Sequence, residues 1–129
     1  MVIDTSALAA IAFREPERQT FLAAIVADGQ RLVSAGTIFE TGMVIEGRQG
    51  EAGGREFDLF AVRVGLQVVP FDAEQADLAR SAWRKYGKGR HPAGLNFGDC
   101  FSYALAKATG EPLLAKGTDF AKTDALIHS

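Results

Sequence analysis

Asp4, Glu40, Asp99 and Asp119 each stand where a carboxylate needs a chemical reason. Asp4 closes the apolar run Met1-Val2-Ile3 and is followed at once by Thr5-Ser6. A strand so short reads as the centre of a parallel sheet, where strands are continuous apolar runs. Ligands on open α/β sheets bind beyond the carboxyl ends of the strands, and Asp4 falls at such an end. Glu40 lies in a helical stretch whose i+3 and i+4 positions are Met43 and Val44, so its face is expected to pack inward. A lone buried carboxylate is costly unless it is paired or bound to a metal. Asp99 stands at capping-box spacing from Asn96, where an acid also suits the helix dipole. Asp119 follows a fourth apolar run in AKGTDF, with Asp124 the alternative for this last place.

Three of these four acids come from strand ends or helix starts, which a parallel sheet gathers along one edge. Hard oxygen donors of this kind suit Mg²⁺ or Mn²⁺. Such ions can activate a water and stabilise the leaving oxygen of a phosphodiester. With two histidines and one cysteine, a Cys/His zinc site is out of reach. Cys100 beside Asp99 has no histidine near it in sequence to activate it and reads as a small buried thiol. Gly87, Gly89 and Gly94 fit neither a P-loop nor a dinucleotide fingerprint.

The elements that must position these residues alternate between strand and helix. Thr5 or Ser6 is expected to cap a first helix reaching about Arg14, and Glu15-Pro16-Glu17 to start a second that closes at Asp28-Gly29. Strands are expected at Arg31 to Ser34, Gln67 to Phe71 and Pro112 to Ala115, with a possible fifth around Ala125-Leu126-Ile127. Between them come a helix from about Thr37 to Arg48 that ends near Gly50, a separate one after Gly53-Gly54, and one from Asp72 to about Tyr86. Gly87 to Leu95 is a loop, and Asn96 begins a helix that ends at Gly110. The fold class is α/β, an αβα sandwich with a central four- or five-stranded parallel sheet flanked by helices.

At 129 residues and 47% hydrophobic content, residues 1–129 read as one domain able to bury about two-thirds of the unfolded surface. No apolar run approaches the ~18 residues of a membrane span, and no signal peptide is recognisable. A single cysteine fits a reducing cytoplasm, so the expected location is cytoplasmic, away from membranes. The net charge of −2 hides a segregation. Leu78 to Gly98 holds no acid but carries Arg80, Arg84, Lys85, Lys88, Arg90 and His91. That stretch is either a solvated face or a phosphate-contact surface built from Arg84, Lys85, Lys88 and Arg90. Trp83 and Tyr86 interleave with it and either stack on bases or extend the apolar face of Ala76, Ala79 and Ala82.

MVIDTSAL at 1–8, Glu40, LNFGDCFSYALAK at 95–107 and PLLAKGTDF at 112–120 together resemble the PIN-domain ribonucleases. The resemblance spans essentially the whole chain. It is specifically to the VapC toxins of bacterial VapBC toxin–antitoxin modules. It implies a Mg²⁺-dependent endoribonuclease, with Asp4 and Asp99 as principal metal ligands and Glu40 and Asp119 completing the shell or holding a second ion. Thr5 or Ser6 matches the family's small hydroxyl position. Many relatives carry the last acid two residues earlier, where this chain has Gly117. The resemblance further implies RNA as substrate, products with 5′-phosphate and 3′-hydroxyl ends, homodimerisation, and a hetero-oligomer with a VapB-type antitoxin. Two other readings compete. One is a Mg²⁺-dependent phosphatase using Asp4 as nucleophile, disfavoured because Ser6 stands where such enzymes carry a second aspartate. The other is a non-catalytic PIN-type binding module, disfavoured because all the candidate acids are present.

Overall fold

A computed structural model describes residues 1–128. Four strands form one parallel sheet: β1 (Val2–Ile3), β2 (Leu32–Ser34), β3 (Gln67–Val69) and β4 (Leu113–Leu114), in the order β3-β2-β1-β4. The MVID strand is thus interior, hydrogen-bonded to β2 on one side and β4 on the other. Five helices flank the sheet: α1 (Thr5–Ala12), α2 (Arg18–Ala27), α3 (Ala35–Arg63), α4 (Ala73–Tyr86) and α5 (Phe97–Thr109).

Strand alternation divides the core in two. Ile3, Val33 and Leu114 face one side and pack with Leu8 and Ile11 of α1, Phe21 and Ile25 of α2, and Ile45 and Phe57 of α3. Their neighbours Val2, Leu32 and Leu113 face the other side and meet Ala82 and Tyr86 of α4 and Tyr103, Leu105 and Ala106 of α5. Burial on both faces is why these strands are uninterrupted apolar runs.

Several boundaries differ from expectation, each for a local reason. Asp4, rather than Thr5 or Ser6, is the N-cap of α1, because its carboxylate accepts the Ser6 N–H. β3 stops at Val69 because Pro70 has no N–H for the ladder. α3 is two helical stretches joined across a kink at Gly50 (φ 69°, ψ −174°), where the first was expected to end; the second starts before Gly53-Gly54, which are helical and buried. The Ala125–Ile127 tail adds only an isolated bridge, Leu113 to Ile127, since Leu126 and Ile127 are exposed and offer no buried face to extend. The Asp72 and Asn96 caps are as expected, and Gly110 ends α5 in the left-handed conformation.

Candidate active site

All strands point the same way, so their carboxyl ends share one edge. There β1 delivers Asp4, β2 leads through Ser34 into the first turns of α3 and Glu40, and β4 runs into the loop that carries Asp119. The start of α5 brings Asp99 to the same place.

Asp4 is 3% exposed, and both its oxygens are held by hydroxyls. Ser6 donates to Oδ2 from its backbone N–H at 3.0 Å and its Oγ at 2.8 Å, while Ser102 Oγ donates to Oδ1 at 2.5 Å. Ser6 Oγ in turn accepts the Lys116 N–H at 2.9 Å, which ties the β4 exit loop to the Asp4 carboxylate. Lys116 Nζ reaches Glu15 at 3.2 Å and Glu17 at 3.5 Å, anchoring the same loop to the turn before α2.

Glu40 is half-buried, but not for the expected reason. Met43 is 58% exposed and Val44 is also exposed, because the inward stripe of this turn is Thr37, Thr41 and Ile45. Glu40 is drawn to the site by hydroxyls instead: Thr5 Oγ1 donates to its Oε1 at 2.7 Å and accepts from Thr41 Oγ1 at 3.0 Å. Its carboxylate lies against the first turn of α5, in space that a Cβ on Gly98 would fill.

Asp99 and Asn96 form a reciprocal capping box, with Asn96 N–H to Asp99 Oδ2 at 3.0 Å and Asp99 N–H to Asn96 Oδ1 at 2.9 Å. The Asp99 carboxyl is pushed up to about 6. Burial is the largest cause, the Asn96 N–H opposes it, and the charges of Asp4, Glu40 and Asp119 add to it. The electrostatics therefore unite all four sequence-identified acids. Asp119 is the exposed member, on the turn before the short 3₁₀ segment Phe120–Lys122. Asp124 is engaged elsewhere: Tyr103 Oη donates to it at 2.5 Å and Lys107 Nζ at 3.0 Å, and these partners hold its carboxyl below the ordinary value.

Among the described residues, no three Asp, Glu, His or Cys side chains close around one point as a ready-made metal cage. Each carboxylate of the inner three is instead restrained by a hydroxyl or a backbone N–H. The donor set, carboxylate oxygens throughout, nonetheless fits a hard divalent ion, which would offset the burial and the neighbouring charges that together raise Asp99.

The family model for the PIN domain matches residues 1–126. The chain belongs to the PIN-domain family. Within it, the chain is 58% identical over 124 residues to ribonuclease VapC30 of Mycobacterium tuberculosis, covering 96% of this chain and 95% of that protein. It is 56% identical over 129 residues to ribonuclease VapC of Mycolicibacterium smegmatis, covering 99% and 100%. Two solved structures share the fold at lower identity. Mycobacterium tuberculosis VapC20, described as a Sarcin-Ricin loop cleaving toxin, superposes with a TM-score of 0.76 at 20% identity over 97% of this chain and 95% of that one. VapBC2 of Rickettsia felis, bound to a promoter DNA fragment, gives 0.76 at 14% identity over 98% and 94%.

In this PIN domain the signals missed in the sequence are hydroxyls and a glycine. Ser102 stands one helical turn after Asp99, and Thr37 and Thr41 are one helical turn apart on either side of Glu40, so the pattern was available. Both of the expected hydroxyls are used, Thr5 on Glu40 and Ser6 on Asp4. Cys100 is buried, and burial beside Asp99 pushes its thiol up to about 11, away from nucleophilic use. Arg80, Arg84, Lys85, Lys88 and Arg90 are exposed, and none forms a salt bridge among the described residues. Arg90 lies 4.1 Å over the Trp83 ring, and Tyr86 is buried in the core.

Proposed function

We propose that this PIN domain is the toxin of a VapBC-type module, an endoribonuclease that hydrolyses RNA phosphodiester bonds with Mg²⁺, for which Mn²⁺ can substitute. The observation that carries this reading is the gathering of Asp4, Glu40 and Asp119 around Asp99, whose carboxyl is raised first by burial and further by their three charges. Asp4 and Asp99 are the principal ligands, and Glu40 and Asp119 complete the shell. When bound, the ion supplies Lewis-acid polarisation of a phosphoryl oxygen and lowers the pKa of a water. The chain's own part is to hold the acids in register: Ser6 and Ser102 on Asp4, Thr5 on Glu40, and the Asn96 N–H on Asp99. The exposed cations at Arg84, Lys85, Lys88 and Arg90 supply sequence-independent attraction for the RNA backbone.

A VapB-type antitoxin is the proposed partner, because the VapBC2 structure and a toxin–antitoxin complex from Klebsiella pneumoniae share this fold. Homodimerisation is supported by apolar side chains left in solvent, notably Phe97 at 81% and Phe39 at 71% exposure. No helix among the described residues is long and apolar enough to cross a membrane.

The test is cleavage of a structured RNA by the purified chain in millimolar Mg²⁺ or Mn²⁺ and in chelator. Cleavage with metal and none in chelator is expected. Full cleavage in chelator contradicts the metal assignment, and no cleavage under any condition contradicts the ribonuclease reading.

A further inference from the structure

Asp4 reaches the site on a strand only two residues long, and nothing in the strand itself fixes the rotation of its carboxylate. Two hydroxyls do. Ser6 Oγ and N–H hold Oδ2, and Ser102 Oγ holds Oδ1 at 2.5 Å. Ser102 is fully buried and stands one turn beyond Asp99 on the same face of α5. One helix thus presents both a site acid and the group that orients the other principal acid. The Ser102 proton is committed to Asp4, so its oxygen is left to accept. The fully buried Thr37 Oγ1, 3.3 Å away on α3, is placed to donate to it. A hydroxyl chain therefore runs from α3 through α5 to the carboxylate at the end of β1, through side chains that are almost fully buried.

We propose that Ser102, seconded by Thr37, is a positioning residue that fixes the Asp4 carboxylate for binding of the divalent cation. This rests on the metal-site reading above. Groups that orient metal ligands from behind typically change affinity by 10- to 100-fold when removed. A serine serving only to satisfy a buried oxygen changes stability and leaves cation affinity alone, so the two roles separate in measurement.

The experiment is a titration of the full chain with Mn²⁺, without RNA, followed by electron paramagnetic resonance or calorimetry, beside a melting curve in chelator. Ser102→Ala is expected to weaken Mn²⁺ about 10- to 100-fold and Ser102→Thr, which keeps the hydroxyl, to bind close to wild type. Thr37→Val, which preserves volume, is expected to weaken binding by a smaller factor in the same direction, and it carries the test if Ser102→Ala does not fold. Unchanged affinity in Ser102→Ala, or in Thr37→Val where it alone folds, overturns the proposal whatever the melting curve shows. Tighter binding in Ser102→Ala overturns it too, since the hydroxyl then competes with the cation for Asp4. A wild type that binds no Mn²⁺ defeats the metal-site reading itself, whereas a binding wild type with an equally binding Ser102→Ala defeats only the role of Ser102.

Discussion

At Asp99 burial and three neighbouring acids favour the neutral carboxyl, the Asn96 N–H favours the anion, and the balance lies at about 6. The folded-state value is thus above the ordinary 3.8, which fixes the sign of a pH effect. Without metal, Asp99 stabilises the fold below about pH 4, and that contribution is lost as pH rises through about 6. Asp99→Asn keeps the capping oxygen and removes the titration. In chelator, its melting temperature is therefore expected to gain on the wild type between about pH 4 and pH 7. A constant offset across that range would mean that the carboxyl is not perturbed. With cation present the competition is with a proton, so Mg²⁺ affinity should rise through pH 6 and level off above it. Gly98 offers a second test at this scale. Alanine is the better helix former, but its Cβ would displace the Glu40 carboxylate from beside Asp99. Gly98→Ala should therefore melt no lower than wild type in chelator and yet cleave RNA on the order of tenfold or more slowly. A variant as active as wild type would show that the Glu40 position is not needed.

α5 serves both core and site: Tyr103, Leu105 and Ala106 bury into the sheet while Asp99 and Ser102 face the carboxylates. Its limits were legible because Asn96 and Gly110 are chemically specific start and stop residues. The inward face of α3 was not, because Thr37 and Thr41 are buried through hydrogen bonds, which hydrophobic periodicity does not register. Glu40 was thus placed in the site for a reason the structure overturns, on neighbours that face solvent. The break in α3 falls at Gly50, where the first stretch was expected to end, but the second stretch was started too late because Gly53 and Gly54 are packed within the helix and not in a loop. The end of α4 and the loop after it make a separate prediction. Serine at Arg84, Lys85, Lys88 and Arg90 should reduce the magnitude of the slope of log K against log[salt] for single-stranded RNA by roughly 0.7 for each phosphate no longer neutralised. An unchanged slope would return these side chains to a solvated surface, with Arg90 serving only to cover Trp83.

Across the whole molecule, a parallel sheet with short strands collects charges of one sign at one edge. The αβα arrangement was legible from the alternation of apolar runs and capped helices, and Asp4, Asp99 and Asp119 from their places after strands or at a helix start. What hydrophobic periodicity did not register was the buried pair Ser102 and Thr37 behind Asp4, and Thr41 behind the Thr5 hydroxyl that holds Glu40. Relief of that repulsion should appear in global stability. A cation bound only by the native state adds about 2.7 kcal/mol at 100 times its Kd, which corresponds to several degrees in Tm for a domain of this size. Asp99→Asn should lose most of that shift. The most direct measurement is the rate of RNA cleavage in Mg²⁺ by wild type, Asp4→Asn and Asp99→Asn, each verified as folded by circular dichroism. Both variants are expected to fall by about a thousandfold or more, since an ion that stabilises the transition state by several kcal/mol is lost with its ligands. Either folded variant cleaving RNA at the wild-type rate would contradict a metal site built on Asp4 and Asp99.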